Sequence, residues 1–227
     1  MYKCCIFDLD GTLVNSIKAI SYTANLTLKK YSLGPIDEDH YKIFAGDGYK
    51  KLIERALIYC GDKDLVHYED ALTTYLDYFK IHCMHEVKAY NGIKDMLNYL
   101  KNNNIKIAVL SNKPHERTLD NIEGIFGAGY FDKVSGEKAS IKRKPDPEGA
   151  IITAKELGVS PEACLYIGDT NTDMKTGISA NMDVVGVTWG FRTRAELESY
   201  HPKYIIDSPG GIIDIIEMSA TESPHFL

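Results

Sequence analysis

Tyr2-Lys3-Cys4-Cys5-Ile6-Phe7-Asp8-Leu9-Asp10-Gly11-Thr12-Leu13 begins as an apolar run and ends in two carboxylates separated by one residue. A short apolar run bounded by a turn signal reads as a strand covered on both faces. Asp8 and Asp10 leave such a strand on the same side, and Gly11 lets the backbone turn sharply behind them. An Asx-turn at a strand end uses the same residue types. Six residues of this kind placed directly after a buried strand point instead to a chemical role for the pair.

The pattern continues outward. Ile105–Leu110, Ala163–Ile167, Asp183–Thr188 and Tyr204–Ile206 are further apolar, β-branched runs. Between them lie helical patterns: Ile93, Met96, Leu97 and Leu100 at helical spacing, then Pro147–Leu157 with Ala150, Ile151, Ala154 and Leu157 on one face and Gly158 as a C-cap. Alternation of this kind predicts an α/β fold with a doubly wound, mostly parallel sheet. One interval is too long. From Phe7 to Ile105 is close to a hundred residues, whereas a strand–helix–strand crossover needs only about thirty. Within it, Ile17, Ile20, Ala24, Leu28 and Tyr31 form a helical stripe. So do Leu52, Ile53, Ala56, Leu57 and Cys60, and then Leu72, Tyr75, Leu76 and Phe79. Three amphipathic helices describe a small helical domain over residues 14–85, inserted into a core made of residues 1–13 and 86–227. The tail after Met218 reads as frayed.

Bulk properties narrow the function. The chain has 227 residues, 44% apolar and 26% charged, enough for a core without disulfides or structural metals. Its formal net charge of −6 argues against nucleic acid as a partner. Five cysteines, an odd number without regular spacing, read as free thiols of a cytoplasmic protein. Lys3, Asp8 and Asp10 interrupt the N-terminus before a signal-peptide run forms. No run approaches 18 apolar residues, so no membrane partner is expected.

Three more segments carry polar residues behind sheet or loop positions. In open α/β sheets, ligands sit at the carboxyl ends of strands, so these segments converge if the sheet is parallel. Ser111-Asn112-Lys113-Pro114 offers a hydroxyl ahead of a helix, as an anion donor or a plain N-cap. Lys142-Arg143-Lys144-Pro145-Asp146-Pro147 is a solvated basic loop, or brings one cation beside Asp8. Gly168-Asp169-Thr170-Asn171-Thr172-Asp173 sets two carboxylates four apart, suited to a hard cation such as Mg²⁺ or to a helix start with acidic residues. Each has a bland alternative; the four together, in this order, do not.

The four segments resemble the four motifs of the haloacid dehalogenase superfamily, whose core is Rossmann-like, and an insertion after the first motif is typical of one subclass. Phe7–Ser16 (FDLDGTLVNS), Ala45–Leu57 (AGDGYKKLIERAL), Tyr90–Leu97 (YNGIKDML) and Val187–Phe191 (VTWGF) are similar, more narrowly, to phosphoglycolate phosphatases. Asn15 departs from the Asp common at that position. The resemblance implies Asp8 as nucleophile and Asp10 as acid and base. It implies Mg²⁺ on Asp8, the Asp10 carbonyl and Asp169, with Asp173 as a ligand or just behind. Ser111, Asn112 and Lys144 would bind phosphate. The implied partner is a small phosphorylated metabolite, and the implied state a monomer or homodimer. Pyrophosphatases and β-phosphoglucomutase-type mutases share much of the pattern. Gly46-Asp47-Gly48 is a candidate substrate loop of the cap, or a simple inter-helical turn. Trp189 is a pocket wall or a core residue. His82 and His85 lack a second pair of ligands and are not read as a metal site.

Overall fold

The computed structural model describes residues 1–221. The strands are β1 (Cys4–Phe7), β2 (Val14–Asn15), β3 (Lys88–Ala89), β4 (Lys106–Pro114), β5 (Lys133–Glu137), β6 (Cys164–Gly168), β7 (Asp183–Val187) and β8 (Tyr204–Ile206). Six of them form one sheet in the order β5-β4-β1-β6-β7-β8. Every pairing in it is parallel. The helices are α1 (Ile17–Lys30), α2 (Glu38–Phe44), α3 (Tyr49–Tyr59), α4 (Tyr68–His82), α5 (Ile93–Asn102), α6 (His115–Phe126), α7 (Glu148–Glu156), α8 (Asn171–Ser179), α9 (Arg194–Glu198) and α10 (Gly210–Thr221).

β1 lies in the middle of the sheet, and its four residues are fully buried. Phe7 and Leu165 join the larger apolar core with α5 and α10, while Ile6 and Tyr166 join a second core with Ala150, Ala154 and Met174. Successive strand residues point to opposite faces, so one continuous apolar run serves two layers of helices. Within α5, Ile93, Met96, Leu97 and Leu100 are the buried stripe that the periodicity predicts. Gly158 follows α7 with φ +70°, a left-handed conformation that glycine adopts without steric cost.

Several expectations need correction. The long interval holds four helices rather than three. The fourth, α2, is a seven-residue polar helix with Tyr41 as its one buried residue, too short to show a stripe. It starts at Asp37, whose carboxylate accepts from the His40 N–H. β5 carries only partly apolar sequence because it is an edge strand. β4 does not stop at Leu110; a register irregularity between Leu110 and Pro114 carries it on, so Ser111 caps no helix. α10 runs through Thr221, so Ser219–Thr221 are helical rather than frayed. The rest of the expected frayed tail lies outside the described residues.

The helices α1–α4 pack on one another, and the chain enters and leaves them through adjacent strands: β2 pairs antiparallel with β3, Asn15 opposite Lys88. All five cysteines are free. No helix among the described residues is long and apolar enough to cross a membrane.

Leu97→Ala is expected to lower unfolding stability by about 2–5 kcal/mol, since it opens a cavity under the sheet. Lys94→Ala, on the exposed face of the same helix, should cost less than about 0.5 kcal/mol. Urea unfolding of both variants checks the pair.

Candidate active site

The carboxyl ends of β1, β4 and β6 release their polar residues at one edge of the sheet. Asp8 follows β1 directly, and its N–H still donates to the Ile167 carbonyl at 2.9 Å, so the sheet fixes its position. The chain then turns, with the N–H groups of Leu13 and Val14 both reaching the Leu9 carbonyl at 3.0 Å. Gly11 sits in this turn with φ +90°, and a Cβ there would lie 2.2 Å from Asp169 Oδ2. Only glycine suits that combination of conformation and close approach.

Asp169 follows β6. Thr12 Oγ1 donates to its Oδ1 at 2.9 Å, and the Phe191 N–H to its Oδ2 at 2.7 Å. One turn on, α8 starts with a reciprocal cap: the Asp173 N–H donates to Thr170 Oγ1, and the Thr170 N–H to Asp173 Oδ2. Asp173 thus begins a helix and also faces the site.

Lys144 closes the group. Its Nζ lies 2.7 Å from Asp8 Oδ1 and 2.7 Å from Asp173 Oδ1. Asn112 holds the lysine's backbone on both sides: its Oδ1 accepts from the Lys144 N–H at 2.9 Å, and its Nδ2 donates to the Lys144 carbonyl at 3.0 Å. The same Nδ2 donates to the Gly46 carbonyl at 3.1 Å. The side chain of Asn112, expected among the phosphate-binding groups, is therefore engaged in positioning Lys144. Ser111 is buried beside it, its Oγ accepting from the Lys113 N–H at 3.2 Å.

Burial pushes the Asp8 carboxyl well above its ordinary range; Asp173 and Asp169 push the same way and Lys144 opposes them. Asp169 is raised to about 7, by burial first and then by Asp173, against the hydrogen bonds from Phe191 and Thr12. For Lys144, burial disfavours the ammonium, but Asp173 and Asp8 outweigh it and raise its pKa well above the usual value. Oxygens of Asp8, Asp169 and Asp173 lie within 4.8 Å of one another. Three carboxylates thus face one hydrogen-bonded ammonium. A hard divalent cation with oxygen ligands fits that donor set and that charge.

Above Asp8 and Asp10 lies a cavity of about 500 Å³ counted with its open mouth, walled by Ile20, Leu52, Tyr75 and Phe79. Lys113 also lines it, a residue that the sequence reading did not single out. Its Nζ lies 2.8 Å from Asp10 Oδ1 and 5.0 Å from the centre of the Phe79 ring, and its side chain is only 3% exposed. A lone charge inside a run of buried strand residues is the signal that marks it.

The Gly46–Gly48 loop is tied down rather than free. Asp47 accepts from Thr172 Oγ1 at 2.6 Å and pairs with Arg55 at 2.5 Å. Burial opposes its charge, but these two partners outweigh it and hold the carboxyl below its ordinary range. Arg192 donates to the carbonyls of Lys42, Ile43 and Ala45, the open C-terminal end of α2. Trp189 is half-buried, donates from Nε1 to the Thr12 carbonyl at 3.0 Å, and is absent from the cavity wall.

A family model described as haloacid dehalogenase-like hydrolase matches residues 5–187. The chain belongs to the haloacid dehalogenase-like hydrolases. Among relatives in this hydrolase family, a phosphoglycolate phosphatase of Colwellia psychrerythraea is 31% identical, over 89% of this chain and 92% of its own length. A phosphoglycolate phosphatase of Aquifex aeolicus is 30% identical, over 96% and 98%. The crystal structure of a predicted phosphoglycolate phosphatase from Haemophilus somnus superposes with a TM-score of 0.88 at 25% identity, covering 95% of this chain and 98% of that one.

Asp169 keeps its proton in the folded chain up to about pH 7, whereas the unfolded chain releases it in the ordinary carboxylate range. A carboxyl raised on folding contributes stability at acid pH that is lost as pH rises through that window. In EDTA, the urea midpoint of the unaltered protein should therefore fall between about pH 5 and about pH 7.5 relative to Asp169→Asn, which lacks this titration. Parallel pH dependences of the two proteins would contradict this account of the site.

Proposed function

We propose that the chain is a Mg²⁺-dependent phosphatase that hydrolyses a small phosphate monoester, with Asp8 as its nucleophile. The observation that carries this reading is the Asp8–Lys144–Asp173 arrangement, whose Asp8 lines a cavity together with Asp10 and Ser111. Lys144 holds one oxygen of Asp8 and so fixes the carboxylate's orientation. In the first step an Asp8 oxygen bonds to phosphorus, the ester P–O bond breaks, and Asp10 gives its proton to the leaving oxygen. In the second, water attacks the phosphorus of the aspartyl-phosphate, Asp10 takes its proton, and Asp8 is released with free phosphate. Lys144 and Ser111 hold the phosphoryl oxygens and stabilise charge as it develops on them. Asp173 positions Lys144.

Mg²⁺ would be held by Asp8, Asp169 and the main-chain carbonyl of Asp10, with Asp173 beside them, and would offset the repulsion between carboxylate and phosphate. Residues 14–85 act as a cap on the core formed by residues 1–13 and 86–227. The helices of the cap supply the apolar wall of the cavity, and Gly46–Gly48 lies on its seam with the core. The names of the relatives make phosphoglycolate the first substrate to test. A small phosphorylated metabolite of the cytoplasm is of a size that the cavity admits.

Phosphate release is expected from phosphoglycolate with Mg²⁺, to vanish with EDTA, and to fall by at least about 10³-fold in Asp8→Asn. Pyrophosphate and sugar phosphates belong in the same panel. Release that survives Asp8→Asn, or no release from any compound, would overturn the reading.

A further inference from the structure

Lys113 is the one cation among the residues lining the cavity, whose apolar and aromatic lining includes Ile20, Leu52, Tyr75 and Phe79. An ammonium only 3% exposed is costly unless its donors are used. It carries three N–H donors. Among the described residues its only hydrogen-bond acceptor is Asp10 Oδ1, with the Phe79 ring as its other neighbour. Two donors are left at the rim of the space where a substrate's leaving part must sit.

We propose that Lys113 recognises a carboxylate on the leaving part of the substrate, attached to the carbon that bears the ester oxygen. The proposal rests on the phosphatase reading above and extends it to a specificity-determining residue for a substrate of the phosphoglycolate kind. The distances carry it. Asp10 protonates the ester oxygen from hydrogen-bond range, about 2.7 Å, and Lys113 Nζ is 2.8 Å from Asp10. With Oδ1 as the Asp10 oxygen that delivers the proton, the ammonium stands within roughly 5.5 Å of the ester oxygen. A carboxylate one carbon away has an oxygen roughly 3 Å from the ester oxygen, which brings it within reach of Nζ.

The charge and shape agree. A single ammonium is a point charge matched to one carboxylate, whereas a second phosphate dianion calls for several donors or an arginine fork. The hydroxyls of a sugar would meet a wall that is mainly apolar, with Ile20, Leu52 and Phe79 in it and the hydroxyls of Tyr49 and Tyr75 as its polar groups.

The test compares phosphoglycolate with ethyl phosphate, which keeps the ester and lacks the carboxylate, in the unaltered protein and in Lys113→Met. In the unaltered protein kcat/KM should favour phosphoglycolate by at least about 30-fold. Lys113→Met should remove most of that preference, losing about 30-fold more on phosphoglycolate than on ethyl phosphate. If both substrates lose equally, Lys113 supports Asp10 and not the leaving part, and the proposal is overturned. A preference that survives in the variant overturns it as well. If the variant fails to fold, the unaltered protein decides through a second pair: phosphoglycolate against phosphoglycolamide, where equal kcat/KM overturns the proposal and a strong preference for the acid supports it. Absence of Mg²⁺-dependent release from both phosphoglycolate and ethyl phosphate in the unaltered protein would sink the phosphatase reading itself, and this proposal with it.

Discussion

Like-charge repulsion inside the protein is the constraint around which this structure is arranged. Asp8, Asp169 and Asp173 come from two parallel strands and the helix after the second, and backbone geometry forces their oxygens to within 4.8 Å. Water cannot relieve them, because all three are buried. The surrounding features each remove part of the cost. Lys144 reaches in from a loop, Thr12 and the Phe191 N–H cover the oxygens of Asp169, and the capping box takes up one oxygen of Asp173. Glycine at positions 11 and 190 leaves room for Asp169 itself, since a Cβ at Gly190 would lie 2.3 Å from it. What these contacts leave uncompensated is negative charge, which a hard cation with oxygen ligands would offset.

The same constraint explains what the sequence made legible. Carboxylates directly behind buried strands are conspicuous, because a charge at the end of an apolar run has no packing role. Asp8, Asp10 and Asp169 stand out for this reason. Lys144 was readable only by analogy, since a basic loop is usually solvated, and its backbone is held by Asn112 on the neighbouring strand β4. Asn112 shows the limit from the other side. The family resemblance implied phosphate binding for it, but its amide matches the Lys144 backbone group for group, a fit that only tertiary structure reveals. Lys113 escaped notice because a long side chain reaches across a strand end, and periodicity records where a Cβ points and not where an ammonium arrives. The short helix α2 and the edge strand β5 were hidden by their few buried residues.

Contacts across the seam between the helical insertion and the sheet also involve the site. Asn112 bonds at once to the Lys144 backbone and to the Gly46 carbonyl, and Thr172, one residue before Asp173, bonds to Asp47. Arg192, next to the Phe191 N–H that holds Asp169, reaches the end of α2. Three residues adjacent to charged groups of the site thus grip the insertion. The position of the helices and the order of the charged centre are therefore mechanically linked, through hydrogen bonds short enough to fail when either side shifts by an ångström or so.

The paired strands β2 and β3 set the two crossings side by side, with Asn15 directly opposite Lys88. In an antiparallel pair, facing residues can be joined by a turn of two residues. The whole helical segment is thus a detour that begins and ends at nearly the same point. Such an arrangement makes the sheet indifferent to what is threaded between those two residues: a tight turn, this helical bundle or an unrelated module closes the same gap. Over evolutionary time a scaffold built this way can exchange the inserted segment by recombination at two neighbouring positions, while the sheet stays untouched.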